Sequence, residues 1–353
     1  MKKLFLTAAA ALLTVMPSMA QDTQIGRNVT DFATTPKIGG YVIGKYTYSD
    51  QDGQNGGNGF SQRMVRLYAD GSILNDFKYR VQVQINNATF HMKDYFIEWA
   101  HWKEFSVKFG QYKRAFLFEN PFNPWNVGFG DYSQIVKKFS GMGDYCGEAG
   151  SNGGRDQGLQ IQGDLLPMGD GGYRLIHYQL QLMNGQGINK ADANSTKDII
   201  GTLQVQPIKD LYIGAFGWKG NYTAGAVTVD RNRWAVAAKY EHNDWSARAE
   251  YAHSEGHKIS EYNALDGTFT GAGKADGWYA AVGVPCNDWL KVYAKYDVYR
   301  DQADAQSMRT IYSVAPNMQI HKNLMLQLQY NLVQDKPSSS NWNEVWAEVY
   351  FRF

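Results

Sequence analysis

The sequence predicts an all-β fold, a transmembrane antiparallel barrel of about sixteen strands with a long loop folded into it. Three observations carry that expectation. Apolar and polar residues alternate with a period of two along most of the chain. Many alternating segments run for nine to twelve residues, near the roughly 9–11 needed to cross a bilayer at a tilt. Short connections alternate with mostly longer ones from end to end, the asymmetry between the two sides of a membrane barrel.

The chain opens with MKKLFLTAAAALLTVMPSMA, two lysines, an apolar run and small residues before Ala20. This reads as a secretory signal peptide over 1–20. Removing Lys2 and Lys3 takes the formal charge from +1 to −1, so net charge gives no argument for a nucleic-acid partner. Residues 21–36 form a polar N-terminal segment, and the barrel is expected over 37–353. Aromatic residues are abundant, with 23 Tyr, 17 Phe and 10 Trp, yet mean hydropathy is negative and no later stretch of eighteen residues is continuously apolar. Two cysteines, Cys146 and Cys286, do not make a disulfide scaffold.

In DFKYRVQVQIN (76–86), Phe77, Tyr79, Val81, Val83 and Ile85 share one face and Lys78, Arg80, Gln82, Gln84 and Asn86 the other. EFSVKFGQYKR (104–114), DWLKVYAKYDVY (288–299) and the stretch 322–332 repeat the pattern. Strands are expected near 37–48, 60–70, 76–87, 93–101, 104–114, 157–165, 172–183, 197–207, 210–219, 231–241, 244–253, 275–285, 288–299, 307–317, 322–332 and 343–353. Links at 71–75, 102–103, 166–171, 208–209, 242–243, 286–287 and 318–321 are short and rich in turn formers. Those at 49–59, 88–92, 115–156, 184–196, 220–230, 254–274, 300–306 and 333–342 are mostly longer.

Charged residues such as Arg66, Lys239, Glu250 and Glu348 lie opposite apolar runs. So many charges facing a solid core would each need a partner, which favours a wet lumen over a soluble sandwich. The terminal strand NEVWAEVYFRF then closes the cylinder against the first, with Val345, Val349 and Phe351 towards lipid.

The link from Ala115 to Asp156 is too long for an ordinary loop, and its aromatic and proline residues, Phe116, Phe118, Pro121, Phe122, Pro124 and Trp125, are expected to anchor it as a constriction inside the barrel. Candidate pore-lining or anion-path cations are Arg66, Lys78, Arg80, Lys108, Lys113, Arg114, Lys137, Lys138, Arg248, Lys291 and Lys295. Candidate counter-charges are Asp94, Glu98, Asp131 and Glu148. Such cations either select anions or pair with carboxylates to stiffen a hydrated wall.

The segment VKFGQYKRAFLFENPF (107–122) resembles the approach to the constriction loop in the phosphate-selective porin O and P family, especially its Bacteroides-type members. YQLQLMNGQGIN (178–189) and the terminal EVYFRF are similar to further segments of that family. The resemblance implies a sixteen-stranded, usually trimeric porin of the bacterial outer membrane, in contact with lipid and lipopolysaccharide. It also implies passive diffusion of small hydrophilic or anionic solutes.

The alternative is an outer-membrane adhesin or surface binding protein without significant conductance. No enzyme is expected: none of the seven histidines stands in a nucleophile motif. HSEGH (253–257) leaves a strand for a loop and lacks the remaining ligands of a metal site. The GFG and GMGDYCG clusters (128–130, 141–147) follow no nucleotide-binding pattern and read as loop bends. No cofactor and no metal are therefore expected.

Overall fold

The structure is a computed structural model that describes residues 34–53, 58–86, 89–148, 153–169 and 172–353. The expected leader (1–20), and all but the last three residues of the polar segment (21–36), lie outside them.

Sixteen strands close on themselves, each pairing antiparallel with its neighbours. They are β1 (Lys37–Ser49), β2 (Gly59–Ile73), β3 (Phe77–Asn86), β4 (Thr89–Trp99), β5 (Ser106–Lys113), β6 (Arg155–Met168), β7 (Tyr173–Met183), β8 (Asp198–Ile208), β9 (Leu211–Ala224), β10 (Val227–His242), β11 (Trp245–Glu255), β14 (Lys274–Pro285), β15 (Leu290–Arg300), β16 (Met308–His321), β17 (Leu324–Asp335) and β18 (Ser340–Arg352). A separate two-stranded hairpin, β12 (Tyr262–Asn263) and β13 (Thr268–Phe269), sits in the link between β11 and β14. β18 pairs with β1, with Tyr350 opposite Ile43, so the barrel closes without an open edge among the described residues.

The alternation sorts as the sequence requires. Leu328, Tyr330, Val345, Val349 and Phe351 are exposed outwards, while Gln327, Gln329, Glu348 and Tyr350 are buried inside. Two expected loops are not loops. β9 and β10 run on through 220–230 to a turn at Gly225, and β4 begins at Thr89 within the expected link 88–92. Extended backbone there keeps its ladder hydrogen bonds, which polar composition alone does not forbid.

β-bulges change the face of particular residues. Opposite the Ile43/Gly44 step of β1, β2 carries one extra residue, Arg63, which turns into the lumen and donates to Glu348 at 2.7 Å. A second bulge opposite Gln82 brings both Lys93 and Asp94 of β4 under cover.

The lumen is not uniformly wet. The β5–β6 link folds inside and forms an apolar core there, with Phe116, Leu117, Val127, Phe129, Ile135, Val136 and Phe139 all essentially inaccessible. Its helix α1 (Gln134–Ser140) packs against β11, β14 and β15. The wall makes room with small inward residues of β10, β11, β14 and β16: Ala235, Ala237, Ala252, Ala275, Ala281 and Ala315. A side chain at Gly277 would meet Ile135 Cγ2 at 2.6 Å, so glycine there lets the helix approach.

Candidate functional site

Irregular backbone inside a membrane barrel must find hydrogen-bond partners, and here the inward polar side chains of the wall supply them. Gln181 accepts from the Ala115 amide at 2.7 Å, Glu250 from those of Phe118 and Glu119 at 2.7 and 3.0 Å, and Gln329 from that of Gly130 at 2.6 Å. Asp297 accepts from the Gln134 amide at 3.0 Å, and Gln327 donates to the Gly128 carbonyl at 2.9 Å. The inward-folded loop is therefore fixed to four strands of the lumen wall, β7, β11, β15 and β17.

Charge fixes its outer half. Arg114 and Arg231, both fully buried, share Glu148; Arg114 also donates to Asp156 at 2.8 Å and Arg231 to Asp198 at 2.6 Å. Arg233 donates to Asp144 and to the Phe139 carbonyl. In the loop itself, burial works to raise the Asp131 carboxyl, but the charge and hydrogen bond of Lys137 outweigh it, and Arg63 and Lys45 add to them, holding it at about 2. Burial pushes the Cys146 thiol well up, with Asp144 adding to the effect. Both Cys146 and Cys286 are free thiols.

Against the opposite wall the loop leaves a cavity of about 260 Å³. Its basic lining is Arg66 of β2, Arg80 of β3, Lys108 and Lys113 of β5, Arg114 and Arg155; Asp94 is the carboxylate among the lining residues. Pro121, Phe122 and Asn123 of the loop face them. Lys108 and Lys113 alone are separated by roughly 15 Å along an extended strand, so the cations are spread along the wall rather than gathered at one level.

Four of the six cations have carboxylate partners. Arg80 grips Asp70 with two bonds of 2.7 and 2.8 Å, Arg155 grips Asp94, Lys108 lies 3.3 Å from Glu98, and Arg114 is committed as described. The other two are held by neutral oxygens. Arg66 donates to Gln84 at 2.7 Å and to the Tyr41 hydroxyl at 2.6 Å. Lys113 donates to the Asn120 and Phe122 carbonyls at 2.6 and 2.8 Å. The cavity thus holds more positive charge than its fixed carboxylates cancel.

The expected site residues divide into groups. Arg66, Arg80, Lys108 and Lys113 come together with Asp94 at the cavity. Lys78 stands exposed near the end of β3, and Lys291 lies half-buried over the Tyr293 ring. Arg114 has no exposed side-chain surface. Arg248 donates to Glu119 and to the Val127 carbonyl, and Lys295 lies between Asp297 and Ser133; both serve the loop. Lys137 and Lys138 belong to α1 and face a different cavity.

Of the expected anchors, Phe116, Phe118 and Pro124 are buried, and Phe122 is partly buried against the apolar core. Trp125 packs on Tyr350 beneath Arg352. Pro121 is exposed and lines the cavity instead, because the chain turns there towards the water. Alternation missed Arg63 because a bulge reverses its face. It missed Arg155 because the expected loop extended past the start of β6. The run of small inward residues on β10, β11, β14 and β16 was a legible signal of where the loop would dock.

A family model described as Gram-negative porin matches residues 7–338. Among solved structures, the chain is similar to the anion-selective porin from Comamonas acidovorans, at 12% identity over 91% of this chain and 100% of that one, with a TM-score of 0.68. It is similar to the outer membrane channel DcaP of Acinetobacter baumannii, at 13% identity over 93% and 99%, with a TM-score of 0.64. It is also similar to OmpT of Vibrio cholerae in its trimer form, at 12% identity over 92% and 100%, with a TM-score of 0.59. At these identities the likeness is one of fold. No curated protein matches the chain.

Proposed function

The chain belongs to the Gram-negative porin family, and from that premise we propose that its channel in the bacterial outer membrane prefers small anionic solutes, phosphate-like ones included. The observation that carries this reading is the charge of the cavity beside the loop, which Arg66 and Lys113 line with only neutral oxygens as partners. An anion passing there gains charge-assisted hydrogen bonds from Arg66, Arg80, Lys108 and Lys113 without being stripped of all its water. The paired carboxylates keep the field moderate, so that solutes leave as well as enter.

Membership of the family and the barrel fold favour a channel over an enzyme. A homotrimer in contact with lipid and lipopolysaccharide is part of the same proposal. It is supported by the apolar outer wall, on which Phe60, Phe90 and Phe109 are 92%, 61% and 65% exposed, and by the trimer form described for the OmpT structure.

Single-channel recording of the refolded protein under a potassium chloride gradient tests the proposal. Stable steps with an anion-favouring reversal potential are expected, and the double substitution Arg66→Gln with Lys108→Gln moves that potential towards cation preference. Inserted protein that stays silent would favour an adhesin. A reversal potential that ignores both substitutions would remove the cavity from the solute path.

A further inference from the structure

A second cavity, of about 370 Å³, lies on the far side of the inward loop. It is lined by Gln134, Lys137 and Lys138 on one face of α1, and by residues at the outer ends of β15, β16 and β17 with the turn that follows, among them Tyr299, Arg309, Ile311 and Pro337. It shares no lining residue with the cavity described above.

Its charges are unequally committed. Asp301 is held by Lys258 and by the Tyr299 hydroxyl, Asp335 by Arg309 and Ser338, and Lys137 by Asp131. Lys138 differs. Its ammonium lies 5.8 Å from the centre of the Tyr299 ring and has, among the described residues, neither an ion pair nor a hydrogen bond. Arg309 meets Asp335 through Nε alone, at 2.8 Å, and its side chain is 46% exposed, so the outer guanidinium nitrogens remain to donate. Burial lowers the Lys138 pKa; Asp301 and Asp144 oppose this, while Lys137 and Arg309 lower it further. Beside these two cations the Tyr299 ring, Ile311 and Pro337 supply the apolar part of the lining.

We infer that this outer cavity is a binding site for monocarboxylates with a small apolar body, the carboxylate seated between Lys138 and Arg309 and the body against Tyr299, Ile311 and Pro337. The guanidinium supplies a planar donor pair and the ammonium a point charge, a combination suited to one carboxylate rather than to a polyanion. The site holds such solutes at the mouth before they reach the constriction. It rests on the channel reading but not on the anion preference proposed for the other cavity.

The test uses the full refolded channel in a planar bilayer, with pentanoate added to one side at a time and binding read from current fluctuations against concentration. Binding is expected from the side on which the long loops lie. It should weaken at least about tenfold in Lys138→Met and in Arg309→Gln, the loss expected for one charged hydrogen-bonding partner. Lys138→Arg should retain it, and Lys108→Gln should leave it within about twofold while shifting the reversal potential. Succinate should bind no more tightly than pentanoate. Equal pentanoate affinity in the wild type and in either charge-removing variant overturns the assignment. So does loss of binding in Lys108→Gln, which would place the carboxylate in the other cavity. A channel that conducts potassium chloride but shows no pentanoate binding sinks this inference and leaves the porin reading intact.

Discussion

Glu250→Leu is the sharpest test of how the constriction is held. Glu250 is 2% exposed and carries three hydrogen bonds: from the Phe118 amide at 2.7 Å, the Glu119 amide at 3.0 Å and the Tyr279 hydroxyl at 2.5 Å. Leucine leaves two backbone N–H groups and the Tyr279 hydroxyl without this acceptor in a closely packed interior; the two amides alone, at about 1–3 kcal/mol each, cost about 2–6 kcal/mol. Part of that is returned, because a buried carboxylate near Glu119 is removed. A net loss of even about 1.4–3 kcal/mol raises the population of displaced loop by a factor on the order of 10–100. The displacement should be local to 116–120, since Gln181, Gln329 and Asp297 still hold the amides of Ala115, Gly130 and Gln134. Single-channel records should then show added noise and extra conductance levels, and the urea midpoint should fall. Glu250→Gln, which keeps one carbonyl acceptor, should lie between. Wild-type conductance, noise and urea midpoint in the leucine variant would refute the claim that this carboxylate pins the loop.

Other outcomes follow from the same network. Arg231→Met removes a fully buried guanidinium from Glu148 and Asp198 and should cost about 3–5 kcal/mol, read as a lower urea midpoint in lipid vesicles. The Asp131 carboxyl, at about 2 when folded against about 3.9 unfolded, contributes stability that is present above the unfolded value and lost as pH falls through the folded one. The melting-temperature gap between wild type and Asp131→Asn should therefore hold from pH 7 to about 4 and close towards pH 2. With Asp131 and Lys137 side chains 39% and 41% exposed, that gap corresponds to less than about 1 kcal/mol. A thiol reagent should modify Cys286, which is exposed, and spare Cys146, which is 1% exposed with its thiol pKa pushed up; mass spectrometry of the folded protein counts the adducts.

The sequence by itself determined what depends on local repetition. Alternation in each segment set which side chains meet lipid and which meet the lumen, because a strand has no other way to divide its faces. The number of such segments gave the sixteen barrel strands. The closure of β18 on β1 followed from the need to leave no open edge in hydrocarbon. The concentration of Arg66, Arg80 and Lys108 on one wall was legible for the same reason.

Tertiary structure alone decided what depends on meetings between distant residues. The bulge that turns Arg63 inwards exists only as a mismatch between β1 and β2, and it reverses a face that either strand read alone assigns outwards. The path of the β5–β6 loop depends on small residues from four other strands and on acceptors as far along the chain as Gln329. Arg114, Arg248 and Lys295 resemble Arg66 in the sequence, yet they grip the loop while Arg66 bonds to neutral groups of the wall and lines the cavity. The difference is which carboxylate the fold brings within reach, and period-two alternation carries no record of that.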